Sequence, residues 1–253
     1  MQFSANLGFL WKELSLPDAI RAAKAAGFHA VECHFPYDTP AAEVKAALEE
    51  TGLKMLGLNT IPGDVAGGEF GLCALPGREV DARAAIDQAV AYAAEIGAGA
   101  IHVMAGKAKG VEAQKMFVSK LRYACKQAAP HGITILIEPL NTYDVPGYFM
   151  TTSDHAEQII ELVDEPNIKL MFDCYHMQLM QGDLSHAIER LLPKIGHIQF
   201  ASVPDRGAPD HGEVNYAHIF KVIEGLGYKA PVGAEYKPTG STEETLDWLK
   251  DYL

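Results

Sequence analysis

The sequence predicts a single (β/α)₈ barrel spanning residues 1–253, and three observations lead there. Apolar β-type runs alternate with amphipathic helical segments eight times, with no break in composition between them. The length, 253 residues, suits eight strands and eight helices in one barrel. Four of the runs end in oxygen-bearing side chains, and barrel active sites are built at the C-terminal ends of the strands. A doubly wound open sheet is the alternative. It seldom needs eight regular units, and no Gly-rich dinucleotide fingerprint follows the first strand.

In chain order, Phe3 to Leu7 reads as the first strand. A helix from about Pro17 follows, with Ser15 or Leu16 near its N-cap, an alanine-lined face (Ala19, Ala22, Ala23, Ala26) and Gly27 at its end. The second unit is Ala30 to Phe35 and a helix through Val44 to Glu50, closed by Gly52. The third strand, Lys54 to Leu58, opens into a long Gly- and Pro-containing loop from Asn59 to Arg78, followed by a helix over Asp81 to Ile96. Ala100 to Met104 and a helix from about Val111 to Ala128 form the fourth unit. The last four strands carry helices at Asp154 to Val163, Leu184 to Leu192, Tyr216 to Leu226 and Thr242 to Leu253. Thr152-Ser-Asp154 and Ser241-Thr-Glu-Glu244 supply capping signals for two of them.

Those four strands read Ile133-Thr-Ile-Leu-Ile-Glu138, Ile168-Lys-Leu-Met-Phe-Asp173, Ile195-Gly-His-Ile-Gln199 and Pro231-Val-Gly-Ala-Glu235. Their polar tips are 26 to 36 residues apart, the length of one strand-helix unit. Parallel neighbouring strands would bring Glu138, Asp173, Gln199 and Glu235 to one end of the sheet. Three carboxylates and an amide so close repel one another unless a divalent cation holds them. An all-oxygen set suits a hard ion, with Mg²⁺ expected first and Mn²⁺ or Co²⁺ as alternatives, and disfavours a zinc-thiolate site. Read singly, each tip is simply the start of a loop; the recurrence at four successive strand ends is what points to a metal.

A net charge of −12 argues against a nucleic-acid or anionic-membrane surface, since phosphate binding relies on clustered Lys and Arg. No run approaches the roughly 20 apolar residues of a membrane span. The four cysteines lack CxxC spacing and read as reduced thiols of a cytoplasmic protein. A homo-oligomer is left open by the sequence.

The segments Ile137-Glu-Pro-Leu-Asn141, Asp173-Cys-Tyr-His-Met-Gln178, Ile195-Gly-His-Ile-Gln199, Gly212-Glu-Val-Asn-Tyr216 and Glu235-Tyr-Lys-Pro238 resemble the hydroxypyruvate isomerase family of xylose-isomerase-like barrels. Phe35-Pro-Tyr37, Asn59 to Asp64 and Leu75-Pro-Gly-Arg78 extend the likeness over essentially the whole chain. The resemblance implies that Glu138, Asp173, Gln199 and Glu235 are metal ligands and that Glu138 and Glu235 are also the acid-base pair. It implies interconversion of hydroxypyruvate and tartronate semialdehyde through an enediolate. Related ketose epimerases carry a His where this chain has Gln199, which favours the isomerase branch. A 2-oxo-tetronate isomerase, acting on a four-carbon acid, is the nearest alternative, and 3-epimerisation of a ketose is more distant. An abasic-site endonuclease shares the barrel, but the acidic charge and the missing His and Asp ligands disfavour it. A non-catalytic sugar-acid binder would not need the Glu138–Glu235 pair.

A small hydroxy- or oxo-acid substrate carries a carboxylate that needs a cation. Arg206, in the loop after the seventh strand, is the first choice because its guanidinium matches a carboxylate bidentately, and Lys237 is the second; each also reads as an exposed loop cation. By analogy with related sugar barrels His176 donates to a substrate oxygen, with a buried structural role the competing reading. For His102 a similar role is weighed against a structural one, which is favoured. His34 and Asn59 read as structural. Cys174 reads as packing, pointing away from the site along an extended strand. Trp11, Tyr37 and Phe70 are expected near the mouth, and Gly67 to Gly71 as a flexible loop over it.

Overall fold

All eight expected strands form and pair in parallel. The computed structural model describes residues 1–252. The strands are β1 (Phe3–Asn6), β2 (Ala30–Glu32), β3 (Lys54–Met55) with β4 (Gly57–Asn59), β5 (Ala100–His102), β6 (Thr134–Ile137), β7 (Ile168–Asp173), β8 (Ile195–Phe200) and β9 (Val232–Ala234). β3 and β4 are two halves of the third stave, bent at Leu56. β3 pairs with β2 and β4 with β5. Leu56 N–H donates to the Val31 carbonyl at 2.7 Å and Cys33 N–H to the Gly57 carbonyl at 3.1 Å, so the ring closes through the bend.

Outside the ring lie α1 (Leu16–Ala25), α2 (Ala41–Thr51), α3 (Glu79–Ile96), α4 (Gly110–Ala128), α5 (Ser153–Val163), α6 (Cys174–Met180), α7 (Leu184–Leu191) and α8 (Tyr216–Gly225). Sequence chemistry sets several of their starts. The Ser15 and Thr152 hydroxyls accept from Asp18 N–H and His155 N–H at the heads of α1 and α5. The main core lies between ring and helices. There Phe3, Phe200, Phe220 and Trp248 meet edge to face, with ring centroids 5.0 to 5.7 Å apart.

Inside the ring the chemistry differs. Among the described residues, a small buried apolar cluster there consists of Ala100, Leu136 and Met171. Polar side chains fill much of the rest, and several bond directly across the interior. Glu32 on β2 meets His197 and Gln199 on β8, two strands that are not neighbours. A bulge at Gly196 matters here, because Leu170 pairs with Ile195 but Met171 with His197. The shift sets Asp173 opposite Gln199, so both tips emerge at the same height.

Three expectations are corrected. Asp173 is followed at once by α6, not by extended chain, because its Oδ1 caps Tyr175 N–H at 2.9 Å. Cys174 is therefore helical, although its packing role stands, since it is fully buried. The helix expected over Thr242 to Leu253 is instead two 3₁₀ segments, Glu243–Thr245 and Asp247–Tyr252, with Leu253 outside the described residues. Thr242 accepts from Trp11 N–H at 2.8 Å and Thr245 donates to the Thr242 carbonyl at 2.8 Å, side-chain bonds that compete with an α-helical ladder. Trp11 is not at the mouth; it is buried, and its indole N–H donates to Glu243. All four cysteines are free and buried, and among the described residues no helix is long and apolar enough to cross a membrane.

Candidate active site

Glu138, Asp173, Gln199 and Glu235 stand at or just beyond the C-terminal ends of β6, β7, β8 and β9, four successive staves. All four are at least 95% buried. Ligand atoms of Glu138, Asp173 and His176 all lie within 4.8 Å of one another. Among the described residues, Glu138 Oε1, Asp173 Oδ2 and Gln199 Oε1 are buried without a hydrogen-bond partner. An unpaired buried oxygen is costly, so the Glu138 and Asp173 oxygens, grouped with His176, mark a spot suited to a cation. The carboxylate oxygens of this group fit a hard divalent ion, with Gln199 and Glu235 at the ends of the next two staves.

His176 belongs to this cluster, and its hydrogen bonds set which ring nitrogen faces the carboxylates. Its Nδ1 accepts from Asn141 N–H at 3.0 Å. The Asn141 amide adds a second bond at 2.7 Å, its orientation fixed because its Oδ1 already accepts from Tyr143 and Asp144 N–H. A neutral imidazole accepting at Nδ1 carries its proton on Nε2. That N–H points among Asp173 Oδ2 (3.5 Å) and Glu138 Oε1 (3.8 Å), as a donor. Burial, with the Arg206 charge nearby, pushes His176 down to about 3 and keeps it neutral. His102 is likewise pushed down to about 3 by burial, and its Nδ1 lies 3.4 Å from Glu138 Oε2.

The two glutamates have opposite surroundings. Glu235 Oε1 accepts from Asn6 Nδ2 at 2.8 Å and meets His34 Nε2 at 2.9 Å, while its Oε2 takes Arg206 Nη2 at 2.7 Å. Burial opposes its ionisation, but Arg206 and His34 outweigh that and hold it well below the usual carboxylate range. Glu138 has no such escort. Burial, reinforced by Glu235 and Asp173, holds its carboxyl well above the usual range. Asp173 is pushed up to about 8 by burial and by Glu235.

Arg206 sits deeper than an exposed loop cation. Its guanidinium is 2.7 Å from Glu235, 3.6 Å from Asp173 and 3.7 Å from Asp144, and it lies 4.9 Å from the ring centres of both Phe9 and Tyr175. The protein's own carboxylates already engage it, leaving Nε without a partner among the described residues. Lys237 is exposed at the rim, its Nζ 6.0 Å from the Phe9 ring centre.

These groups open into a cavity of about 440 Å³ whose walls include Glu138, Glu235, His102, His176, Arg206 and Lys237. Phe70 lines it as expected. His34 and Asn59, read as structural from sequence, line it too, along with Phe9, Lys12 and Lys107. Tyr37 is not among the lining residues and packs edge to face on Tyr92. The sequence reading missed Asn6, Glu32, Asn141 and His197. The period of two along each strand was the available signal: Asn6 follows Ser4, Glu32 precedes His34, and His197 precedes Gln199, all on the inward face.

A closed parallel barrel with a carboxylate-rich, cation-suited pocket at its C-terminal rim defines the class. The family model described as xylose isomerase-like TIM barrel matches residues 20–252. A 2-oxo-tetronate isomerase of Cupriavidus necator is 45% identical over 100% of this chain and 98% of its own length. The hydroxypyruvate isomerase of Escherichia coli is 39% identical over 100% and 99%. A solved structure titled AP endonuclease, family 2, from Brucella melitensis superposes with a TM-score of 0.95 at 41% identity, covering 99% of this chain and 98% of that one. The chain belongs to the hydroxypyruvate isomerase and 2-oxo-tetronate isomerase family of xylose isomerase-like TIM barrels, and is an isomerase of sugar acids.

Proposed function

We propose that this isomerase interconverts hydroxypyruvate and tartronate semialdehyde with a divalent cation held by Glu138, Asp173, Gln199 and Glu235. The observation that carries the reading is the set of three buried oxygens, from three adjacent staves, that accept no hydrogen bond among the described residues. Mg²⁺ is the expected ion. When bound, it would polarise the substrate carbonyl and lower the energy of developing oxyanion charge, an effect worth several kcal/mol.

The side chains divide the remaining work. Glu138 and Glu235 face one cavity from β6 and β9, and act as the acid-base pair. One carboxylate takes the proton from C3, and the C–H electron pair becomes the C2–C3 double bond of the enediolate. A proton returned to C2 then leaves the carbonyl on C3, as the O3 proton passes to O2. Each well-placed acid or base contributes typically about 10²–10⁴-fold. His176, a neutral Nε2–H donor, steadies a substrate oxygen, with neutral His102 beside Glu138 on the same wall. Arg206 and Lys237 bind the substrate carboxylate, Arg206 while remaining paired to Glu235.

A 2-oxo-tetronate is the second reading, favoured by the 45% identity to the Cupriavidus necator relative and by a cavity of about 440 Å³, roomy for a three-carbon acid. Tracking a nucleic-acid backbone needs clustered Lys and Arg, against a net charge of −12 here.

The test strips the protein with a chelator, restores single ions, and follows hydroxypyruvate and 2-oxo-tetronates by NMR in D₂O. Ion-dependent isomerisation of hydroxypyruvate, with deuterium incorporated at carbon, is the expected result. Preferred turnover of a 2-oxo-tetronate would transfer the assignment to the four-carbon acid. Full activity after complete ion removal would overturn the reading.

A further inference from the structure

Beneath the rim lies a buried polar group to which the proton-transfer chemistry assigns no task. Glu32, on β2 with β1 and β9 between it and β8, is saturated by donors: Ser4 Oγ at 3.1 Å on Oε1, and His197 Nε2 at 2.9 Å and Gln199 Nε2 at 3.0 Å on Oε2. Ser4, Glu32, His197 and Gln199 are all at least 94% buried. With its oxygens so engaged, Glu32 is not itself suited to hold a cation.

We propose that Glu32 is a positioning residue that sets which way the Gln199 amide faces, and thereby makes a glutamine serve as a metal ligand. The inference rests on the cation reading above. An amide has one oxygen and one nitrogen, and only the oxygen binds a cation. A carboxylate beside it accepts hydrogen bonds and offers none, so the amide nitrogen turns to Glu32. Gln199 Oε1 is then directed away from Glu32, where it is buried and without a partner among the described residues. A glutamate in the same place would need no such steering, because its two oxygens are equivalent.

A second observation supports a built arrangement. Gly233 on β9 pairs with both Ser4 and Gln199. A Cβ added there would collide with Glu32 Oε1 and would sit 2.9 Å from both Gln199 Cγ and His197 Nε2. The strand is thus bare of a side chain where the Glu32–His197–Gln199 group needs the space. Hydrogen-bond partners of this kind orient metal ligands, and their loss typically weakens affinity by about 10–100-fold.

Calorimetric titration with Mn²⁺ tests the proposal on the full-length protein, with circular dichroism as the fold control. Wild type should bind one ion. Glu32→Ala should weaken Mn²⁺ binding by about 10–100-fold. The same substitution should cost nothing further in a Gln199→Ala background, as expected when one residue acts through the other. Adding Gln199→Glu to Glu32→Ala should restore binding, because a carboxylate at 199 needs no orienting partner. Should Glu32→Ala fail to fold, Glu32→Gln, which keeps one acceptor oxygen, should show a smaller loss that Gln199→Glu also repairs. Unchanged Mn²⁺ affinity in the Glu32 variants, or a loss that persists in full without Gln199, overturns the positioning role while leaving the cation site intact. No Mn²⁺ binding by wild type overturns the cation site itself, and this inference with it.

Discussion

The two halves of the barrel contribute different kinds of polar group to one site. Staves β6 to β9 supply Glu138, Asp173, Gln199 and Glu235, and three of these keep an oxygen that accepts no hydrogen bond among the described residues. Staves β1 and β2 supply Asn6, Glu32 and the adjoining His34, whose hydrogen bonds are spent on holding the first set in place. One half presents oxygens and the other steers them. The difference reaches into electrostatics. Glu235, escorted by Asn6, His34 and Arg206, is held well below the usual carboxylate range, whereas unescorted Glu138 is held well above it. A barrel can therefore set two identical side chains apart simply by which staves face them.

The largest effect should come from the presenting half. Glu138→Gln or Glu235→Gln should lower kcat by about 10²–10⁴-fold or more, with the native circular dichroism spectrum kept in both and a lowered melt in Glu235→Gln, which leaves buried Arg206 without its closest carboxylate. Activity within threefold of wild type in either variant would remove it from the acid-base pair. Next comes the cation that sits between the halves. Arg206→Met leaves Glu235 and Asp173 without their buried counter-charge and should destabilise the ion-free protein by about 3 kcal/mol in urea melts. Loss of less than about 1 kcal/mol would show that the carboxylates do not depend on it.

The raised carboxyls give a pH signature whose sign is opposite to that of a salt-bridged acid. Folded Asp173 titrates at about 8 and Glu138 also lies above its usual range, whereas unfolded carboxyls ionise near about pH 4. Between those limits the folded state keeps protons that the unfolded chain has lost. Raising the pH through this window should therefore lower the Tm of the ion-free protein, and saturating Mn²⁺ should reverse the slope. Scanning calorimetry from pH 5 to 8, with and without the ion, checks this. The smallest effect belongs to the rim. Lys237→Ala should raise KM about three- to tenfold with kcat nearly unchanged, as steady-state kinetics would show, because an exposed cation helps hold the substrate without entering the chemistry.

This contrast also explains what could be read from the chain. Glu138, Asp173, Gln199 and Glu235 stood out because each ends an apolar run, and the even spacing of those runs gave the barrel. Asp173 appears in the sequence only as a strand end, yet it also caps α6, a role that depends on where the backbone turns. Glu32 and His34 were harder to read, since their partners lie across the ring, 165 and 201 residues away in sequence. His176 was recognisable as a donor by resemblance, but its tautomer follows from Asn141, which only the fold brings near it. The final helix failed as an expectation because the hydroxyls of Thr242 and Thr245 found better partners than a helix offers.

Anomalous diffraction from crystals soaked in Mn²⁺ tests the central claim most directly. One ion is expected at the C-terminal rim, ligated by oxygens of Glu138, Asp173, Gln199 and Glu235, with His176 Nε2 outside its coordination sphere. An ion bound through His176, or bound away from these four side chains, would contradict that claim.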